Sequence, residues 1–528
     1  MEIIIRFLAL FVLVFLLSGC NNGTEKKSTD TSNTKETTDA AQTPTHWVQN
    51  EYLPSKNFAN ICSNPRLNNK YQDLAGDYQD LAGDYVDEKN WIRSWSHETY
   101  LWYNELPDID PAIIQDPIKY FDQMKTSAIT SSGSAKDRFH FAVDTEESRL
   151  LSETGISVGY GTSAKQDRET GRIYVTYTEP NSPAQKENIT RGTEILAADG
   201  VYTGSDITDE QLDIFNSALF PVTAGESNSF IIRKPNSIFT ENITLTSSST
   251  TEVPIYLTTT FEANDEKIGY LVLNSFNIET AELQLINAVN QLKSAQISDL
   301  ILDLRYNGGG YLGISGVLGT MIAGNKAYGE IFENMVYNDK YTQYDPIYGQ
   351  LIEPFLFPET TLGFSTTKGT PLPKLNLSRV FIIATGNTAS ASEALINSLR
   401  GIDVEVILIG ETTTGKPYGF YGADNCGTTY YTIQFKGTNA KGYGDYTDGF
   451  IPSAIDNGTD LVKGCLVADD LSSPLGNINE KMLSTAIHYI ANASCPTETM
   501  PLRTNHSLLS SVRGKVIRRH PTEVIMLR

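Results

Sequence analysis

Positive charge is scarce in this chain. Lys and Arg total 41 against 63 Asp and Glu, a formal net charge of −22 over 528 residues. A surface of that sign repels phosphate backbones, and no basic stripe offsets it, which argues against nucleic-acid binding. The one basic cluster, Arg513, Lys515, Arg518 and Arg519, lies in the tail and reads as a solvated end. Histidine is also scarce: there are six, and none falls between residues 251 and 487. None of the five cysteines is spaced C-x-x-C, which argues against a metal site. The chain has no G-x-S-x-G elbow, no glycine loop ending Gly-Lys-Ser/Thr and no dinucleotide fingerprint, so no cofactor is called for. Apolar runs near 18 residues are absent too. The longest, Phe7 to Leu17, is too short to span a bilayer of ~30 Å.

That short run is nevertheless informative. It follows Arg6 and leads straight into Leu17-Ser18-Gly19-Cys20, which resembles a bacterial lipobox, although Glu2 offsets Arg6. The expectation is a signal peptide over 1–19 and a diacylated Cys20 that anchors the protein to a membrane. An aromatic-free segment rich in Thr, Ser, Asn, Lys and Glu, 20–46, then serves as a flexible tether. Export places the remaining Cys62, Cys426, Cys465 and Cys495 in an oxidising compartment, where an even number favours disulfides with three possible pairings.

The length predicts two to four domains at roughly 100–200 residues each. Residues 47–150 read as a mostly helical domain. Trp91, Trp95 and the Tyr100–Tyr103 aromatics at helical spacing mark its core. Tyr-Gln-Asp-Leu-Ala-Gly-Asp occurs at 71–77 and again at 78–84, which suggests a duplication in a surface loop or helix end. From about Gly155 the texture changes to short strands and turns. Ile173–Tyr177 alternates, Glu179-Pro-Asn-Ser-Pro-Ala184 turns, and Arg191-Gly-Thr-Glu-Ile-Leu-Ala-Ala-Asp-Gly200 gives turn, strand and turn. This order, over 151–250, resembles a PDZ domain. The loop Val158, Gly159, Tyr160, Gly161 falls where such domains hold a peptide's terminal carboxylate. From 251 to 498 strands alternate with helices, predicting a layered α/β core: strands at 268–273, 298–304, 379–384 and 404–409, and helices at 279–293 and 394–399. The tail, 499–528, reads as disordered.

Three loops of the α/β region carry chemistry. Asp303-Leu-Arg-Tyr-Asn-Gly-Gly-Gly310 follows a strand buried on both faces, and its glycines let backbone N–H groups approach a ligand. Thr388-Ala-Ser390-Ala-Ser-Glu393 sits at a helix start, where Ser390-x-x-Glu393 is equally a capping box. Gly410-Glu-Thr-Thr-Thr-Gly-Lys416-Pro417 offers a lysine that burial would make a usable base. With no histidine in this stretch, Lys416 is the better-placed base for a serine.

Together these motifs make residues 155–498 resemble the C-terminal (tail-specific) processing proteases, a serine peptidase family with a PDZ domain and a Ser/Lys dyad. The stretch Asp137-Arg-Phe-His-Phe141 resembles lipoprotein members. The resemblance implies a layered α/β (crotonase/ClpP-like) protease core, with a PDZ-like β-domain preceding or inserted into it and a helical N-terminal domain. It implies Ser390 as nucleophile, Lys416 as base, and Gly308 or Gly309 with Ala391 as oxyanion donors. It also implies polypeptide substrates, no metal and an exported lipoprotein facing the periplasm or outer surface of the envelope. The family often carries a Gln four residues after the lysine. Phe420 stands there in this chain, leaving Thr412 or another hydroxyl to orient the base. A catalytically silent peptide-binding envelope lipoprotein on the same fold is the alternative, ahead of a glycan-related one.

Overall fold

The computed structural model describes residues 47–497, apart from 67–70, 74–75, 168–169, 204–206 and 264–265. The expected signal peptide, Cys20 with its tether, and the tail 499–528 lie outside the described residues. No helix among the described residues is long and apolar enough to cross a membrane.

The core is a seven-stranded sheet. Its strands are β1 (Ile255–Ala263), β2 (Glu266–Leu273), β3 (Asp299–Asp303), β4 (Arg379–Ala384), β5 (Glu405–Gly410), β6 (Ile451–Ser453) and β7 (Leu461–Leu466). They lie in the order β1-β2-β3-β4-β5-β7-β6, with β1 antiparallel to β2 and every other pair parallel. Strand alternation sorts side chains to two faces. Leu300, Leu302, Val380, Ile382, Val406 and Leu408 meet the helices α1 (Ala281–Ser294), α2 (Leu312–Ala323) and α3 (Ala391–Gly401). Ile301, Phe381, Ile383, Ile407 and Ile409 meet α4 (Lys481–Asn492) on the other. Both faces are covered, which is why these parallel strands are continuous apolar runs. This is the layered α/β fold expected. Helix α2 is buried at every residue and apolar all round, as a helix inside a core must be.

Residues 156–251 form their own sheet before β1. Its order is Glu241–Thr246, Ser227–Arg233, Glu194–Ala198, Ile173–Thr178, Thr162–Gln166, antiparallel throughout, with helix Asp209–Leu219 packed near it. Val175, Ile195, Phe215, Phe230 and Leu245 are among its separate apolar core. Strand Ile156–Gly159 pairs with Ser248–Thr251, so the segment leaves and rejoins the chain at adjacent points.

The N-terminal part holds less helix than its aromatic spacing suggests: Tyr85–Thr99, Pro117–Gln123 and Thr145–Thr154, joined by turns and short strands. Trp91 and Trp95 do stack along the first of these, 5.1 Å between centroids, but Tyr100 to Tyr103 lie beyond its end. The duplicated heptad takes two different structures. Tyr71–Asp73 pairs with Gly76–Tyr78, whereas Leu81–Ala82 pairs with Ile61–Cys62, and Asp84 caps the helix by accepting Val86 N–H at 2.7 Å and Asp87 N–H at 3.1 Å. This part is stitched to the core region. Strand Phe141–Asp144 pairs with Thr428–Tyr431, and Cys62 is bonded to Cys426. Cys465 pairs with Cys495.

Two predictions follow from these buried links. Cys62–Cys426 spans 364 residues and Cys465–Cys495 spans 30. A longer loop constrains the unfolded chain more, so C62S/C426S is expected to lose roughly 2 kcal/mol more stability than C465S/C495S in denaturant titrations. Glu333 on strand Ile331–Val336 is buried, with Oε2 unpartnered among the described residues. Burial raises its carboxyl from 4.5 to about 8. Over that window the folded state keeps a proton that the unfolded chain releases, so this group's contribution to stability falls as pH rises. Glu333→Gln is expected to match the wild-type melting temperature at pH 5 and exceed it at pH 9.

Candidate active site

The glycine loop leaves β3 under tight control. Arg305, 1% exposed, spends its guanidinium on three buried carboxylates: Asp303 (Nη2–Oδ2 2.8 Å), Glu480 (Nη1–Oε1 2.9 Å) and Asp469 (Nη1–Oδ1 3.2 Å). Asp469 also accepts from Tyr306 (2.6 Å), Lys165 (2.7 Å) and Arg191 (2.6 Å), the last two from the 156–251 sheet region. Burial opposes the charge of Asp469, but Arg191, Lys165 and Arg305 outweigh it and hold the carboxyl well below its usual range.

Beyond this anchor, Asn307 shapes the loop. Its Nδ2 donates to Leu273 O at 3.1 Å, its Oδ1 accepts Gly309 N–H at 2.9 Å, and its carbonyl accepts Ala389 N–H at 3.1 Å and the Ser392 hydroxyl at 3.0 Å. These last two bonds lash the loop to the turn that carries Ser390. Thr388 Oγ1 adds a bond to Leu304 O at 2.8 Å. Gly309 has φ +111°, and a Cβ there would lie 2.6 Å from Ser390 Cβ and 2.8 Å from its Oγ. Only glycine fits against the serine.

Ser390 stands between β4 and α3 with φ +64° and ψ −119°. That backbone is costly for any residue but glycine, and such strain persists only where the surroundings enforce it. The side chain is fully buried. Oγ makes no cap hydrogen bond and has no partner among the described residues. A serine acting simply as a helix cap would use that hydroxyl. The capping-box arrangement with Glu393 is kept, and in it Glu393 Oε2 accepts Ser390 N–H at 3.0 Å.

Glu393 does far more than cap. It is fully buried, and Oε2 also accepts Lys416 N–H at 2.8 Å. Its Oε1 takes Gly415 N–H at 2.7 Å and the Thr413 hydroxyl at 2.5 Å. One carboxylate thus holds the backbones of Ser390 and Lys416 on the same oxygen. Burial pushes its carboxyl above the ordinary value, while Thr413 and the three N–H donors pull the other way. Thr413, rather than Thr412, is the hydroxyl tied into this turn; it also accepts Phe450 N–H at 2.7 Å.

Lys416 is 2% exposed. Its Nζ lies 4.5 Å from the Phe420 ring centroid and 5.2 Å from that of Phe139. Phe139 belongs to the Asp137–Phe141 stretch, whose Arg138 donates to Thr414 O at 2.6 Å. Nothing local in the sequence links this stretch to the lysine. His140, next in line, turns away: its Nε2 meets Phe121 O at 2.9 Å, and burial lowers it to about 4, so the ring is neutral.

Of the three oxyanion candidates, Gly309 has its N–H engaged by Asn307, leaving Gly308 and Ala391. Ala391 opens α3, where the first N–H groups have no partner within the helix. The Val158–Gly161 loop lies apart from this cluster, in the 156–251 region. Tyr160 there is buried, its hydroxyl donating to Ala218 O at 3.2 Å and accepting from Asn228 at 2.7 Å. Among the described residues no strand pairs with the outer edge of Thr162–Gln166.

Comparison with known proteins agrees with this arrangement. The sequence profile of peptidase family S41 matches residues 267–419, a stretch that holds the glycine loop, Ser390 and Lys416. A carboxyl-terminal-processing protease of Picosynechococcus sp. is 29% identical over 162 residues, 31% of this chain and 37% of that protein. The carboxy-terminal processing protease CtpB of Bacillus subtilis is 25% identical over 287 residues, 53% of this chain and 51% of that protein. The chain therefore spans about a third to a half of the length of these relatives. A solved structure from Bacteroides fragilis, assigned as an S41 protease, shares the fold with a TM-score of 0.55 at 23% identity, covering 79% of this chain and 100% of that one. Residues 267–419, which carry all three loops, thus match peptidase family S41, and the chain is similar to carboxyl-terminal processing proteases.

Proposed function

We propose that the chain is a serine endopeptidase that cleaves polypeptides, near C-terminal tails or in unfolded proteins, by acyl transfer at Ser390 with Lys416 as base. One observation carries this reading: a serine in a strained backbone, with a buried hydroxyl left unpartnered, is fastened to the lysine turn by a single carboxylate. Lys416 as a neutral amine takes the Ser390 proton while Oγ attacks the scissile carbonyl carbon. The N–H groups of Gly308 and Ala391 receive the oxyanion. As the C–N bond breaks, the Lys416 ammonium returns the proton to the leaving amine. Water, deprotonated by the same lysine, then splits the acyl ester and frees the serine.

The 156–251 region is read as a PDZ-like domain that adds a peptide strand beside Thr162–Gln166 and takes its terminal carboxylate at Val158–Gly161. The lipobox at Cys20, with the pairing of the other four cysteines, supports export to the bacterial envelope on a lipid anchor. The presence of Phe420 where a polar partner was expected favours the silent peptide-binding alternative, and the assay below separates the two.

Wild-type protein should cleave an unfolded polypeptide. Ser390→Ala and Lys416→Arg should each fall by at least about 10³-fold, the arginine because it cannot shed its proton. Equal cleavage by wild type and Ser390→Ala, or none by either across pH, rejects the peptidase reading. Glu393→Gln turns an NH₂ toward two of the four donors that the carboxylate now satisfies. A kcat loss of about 10²-fold with KM little changed is expected in steady-state kinetics; wild-type kcat would count against its role.

A further inference from the structure

If Lys416 is the base, something must hold its side chain toward the serine. The residue four positions on is Phe420. The structure places two ring faces near Nζ. Phe420 lies 4.5 Å from Nζ and Phe139 5.2 Å. Both are within the ~6 Å over which a cation is drawn to an aromatic face. The arrangement continues outward and inward. The Arg138 guanidinium carbon sits 4.9 Å from the Phe139 centroid, and Arg138 is fixed to Thr414 O, two residues before the lysine. Behind Phe420 come Phe141 at 6.0 Å and Tyr431 at 5.4 Å, themselves stacked at 4.6 Å. Cation and ring alternate from Arg138 to Phe420, and rings alone continue beyond it.

We propose that Phe139 and Phe420 form an aromatic clamp that positions the Lys416 side chain, Phe420 standing where the resemblance leads one to expect a Gln. They act through the lysine and are positioning residues. The assignment rests on the dyad reading given above. Two influences oppose each other at Nζ. Ring faces favour the ammonium, whereas burial favours the neutral amine. The charged and titratable groups around the clamp are Glu393 beneath the Lys416 backbone, Arg138 and Asp137 beside Phe139, Tyr418 on the following strand, and Tyr446, Asp445 and Asp448 on the facing loop. Of these, Arg138 lies over the Phe139 ring, and its bond to Thr414 O does not depend on that ring, so the sign of a shift reports on the ring face at Nζ.

Phe139 is the better residue to change, because it is half-buried while Phe420 is fully buried. Phe139→Leu keeps apolar cover but removes the ring face. The measurement is the pH profile of kcat/KM, with a fluorophosphonate probe reading Ser390 labelling over the same pH range. Losing the ring should move the acid limb of both profiles to lower pH by about 0.5–1 unit, with a fall in plateau kcat. Phe139→Tyr, which retains the face, should restore the wild-type limb. A residue that merely shields the lysine from water gives the opposite sign, because admitted water solvates the ammonium and moves the limb upward. A limb that stays or rises while the wild type is active overturns the clamp alone. A wild type that neither cleaves nor labels overturns the dyad assignment and the clamp with it.

Discussion

A carboxylate taken fully out of water must find its donors inside the protein, and Glu393 finds four. Two lie on the lysine turn as backbone N–H groups, one is the Thr413 hydroxyl, and one is the N–H of Ser390 itself. The bonds matter less for their number than for where they converge. Ser390 follows β4 and Lys416 follows β5, on separate loops, and the sheet alone fixes their strands and not their loop tips. Leaving any of these donors unsatisfied in the interior costs about 1–3 kcal/mol. The two loops therefore cannot drift apart cheaply.

The glycine loop is restrained by a different device. Arg305 and Asp469 share a buried ionic network with Asp303, Glu480, Lys165 and Arg191. Removing one member of such a network strands the others as uncompensated charge, which is far worse than never having built it. Since Lys165 and Arg191 belong to the 156–251 region, that sheet is wired to the residue beside Asn307 through Tyr306 and Asp469. Any displacement there is felt at the root of the loop that packs Gly309 against the serine.

What could be read in the sequence divides along the range of the interactions. Strand Arg379–Ala384 was legible to the residue, because a parallel strand covered on both faces must be an apolar run. The sequence pattern places the start of α3 three residues late, at Ala394 instead of Ala391. Small residues such as Ala391 and Ser392 carry little periodicity, and the positive φ of Ser390 has no signature in a non-glycine residue. Glu393 is visible only as a cap partner, since the local pattern Ser-x-x-Glu says nothing of donors twenty or more positions away. The aromatics after Trp95 looked helical by spacing, but tertiary packing against Tyr418 and Ile433 draws Tyr100 to Tyr103 out of the helix. Phe139 beside Lys416 was beyond reach, because nothing local links two residues so far apart in the chain.

The wall of the site comes from one end of the chain and its chemistry from the other. Phe139 and Arg138 are supplied early, Ser390 and Lys416 late, and a disulfide from Cys62 to Cys426 closes the circuit. The shortest fragment that holds the whole arrangement runs from Cys62 to Cys426, and a chain still emerging from the ribosome contains only part of it. On the peptidase reading proposed above, the timing of synthesis becomes a safeguard: a site that would attack unfolded neighbours is not complete until residue 426 has been made and the chain has folded around it.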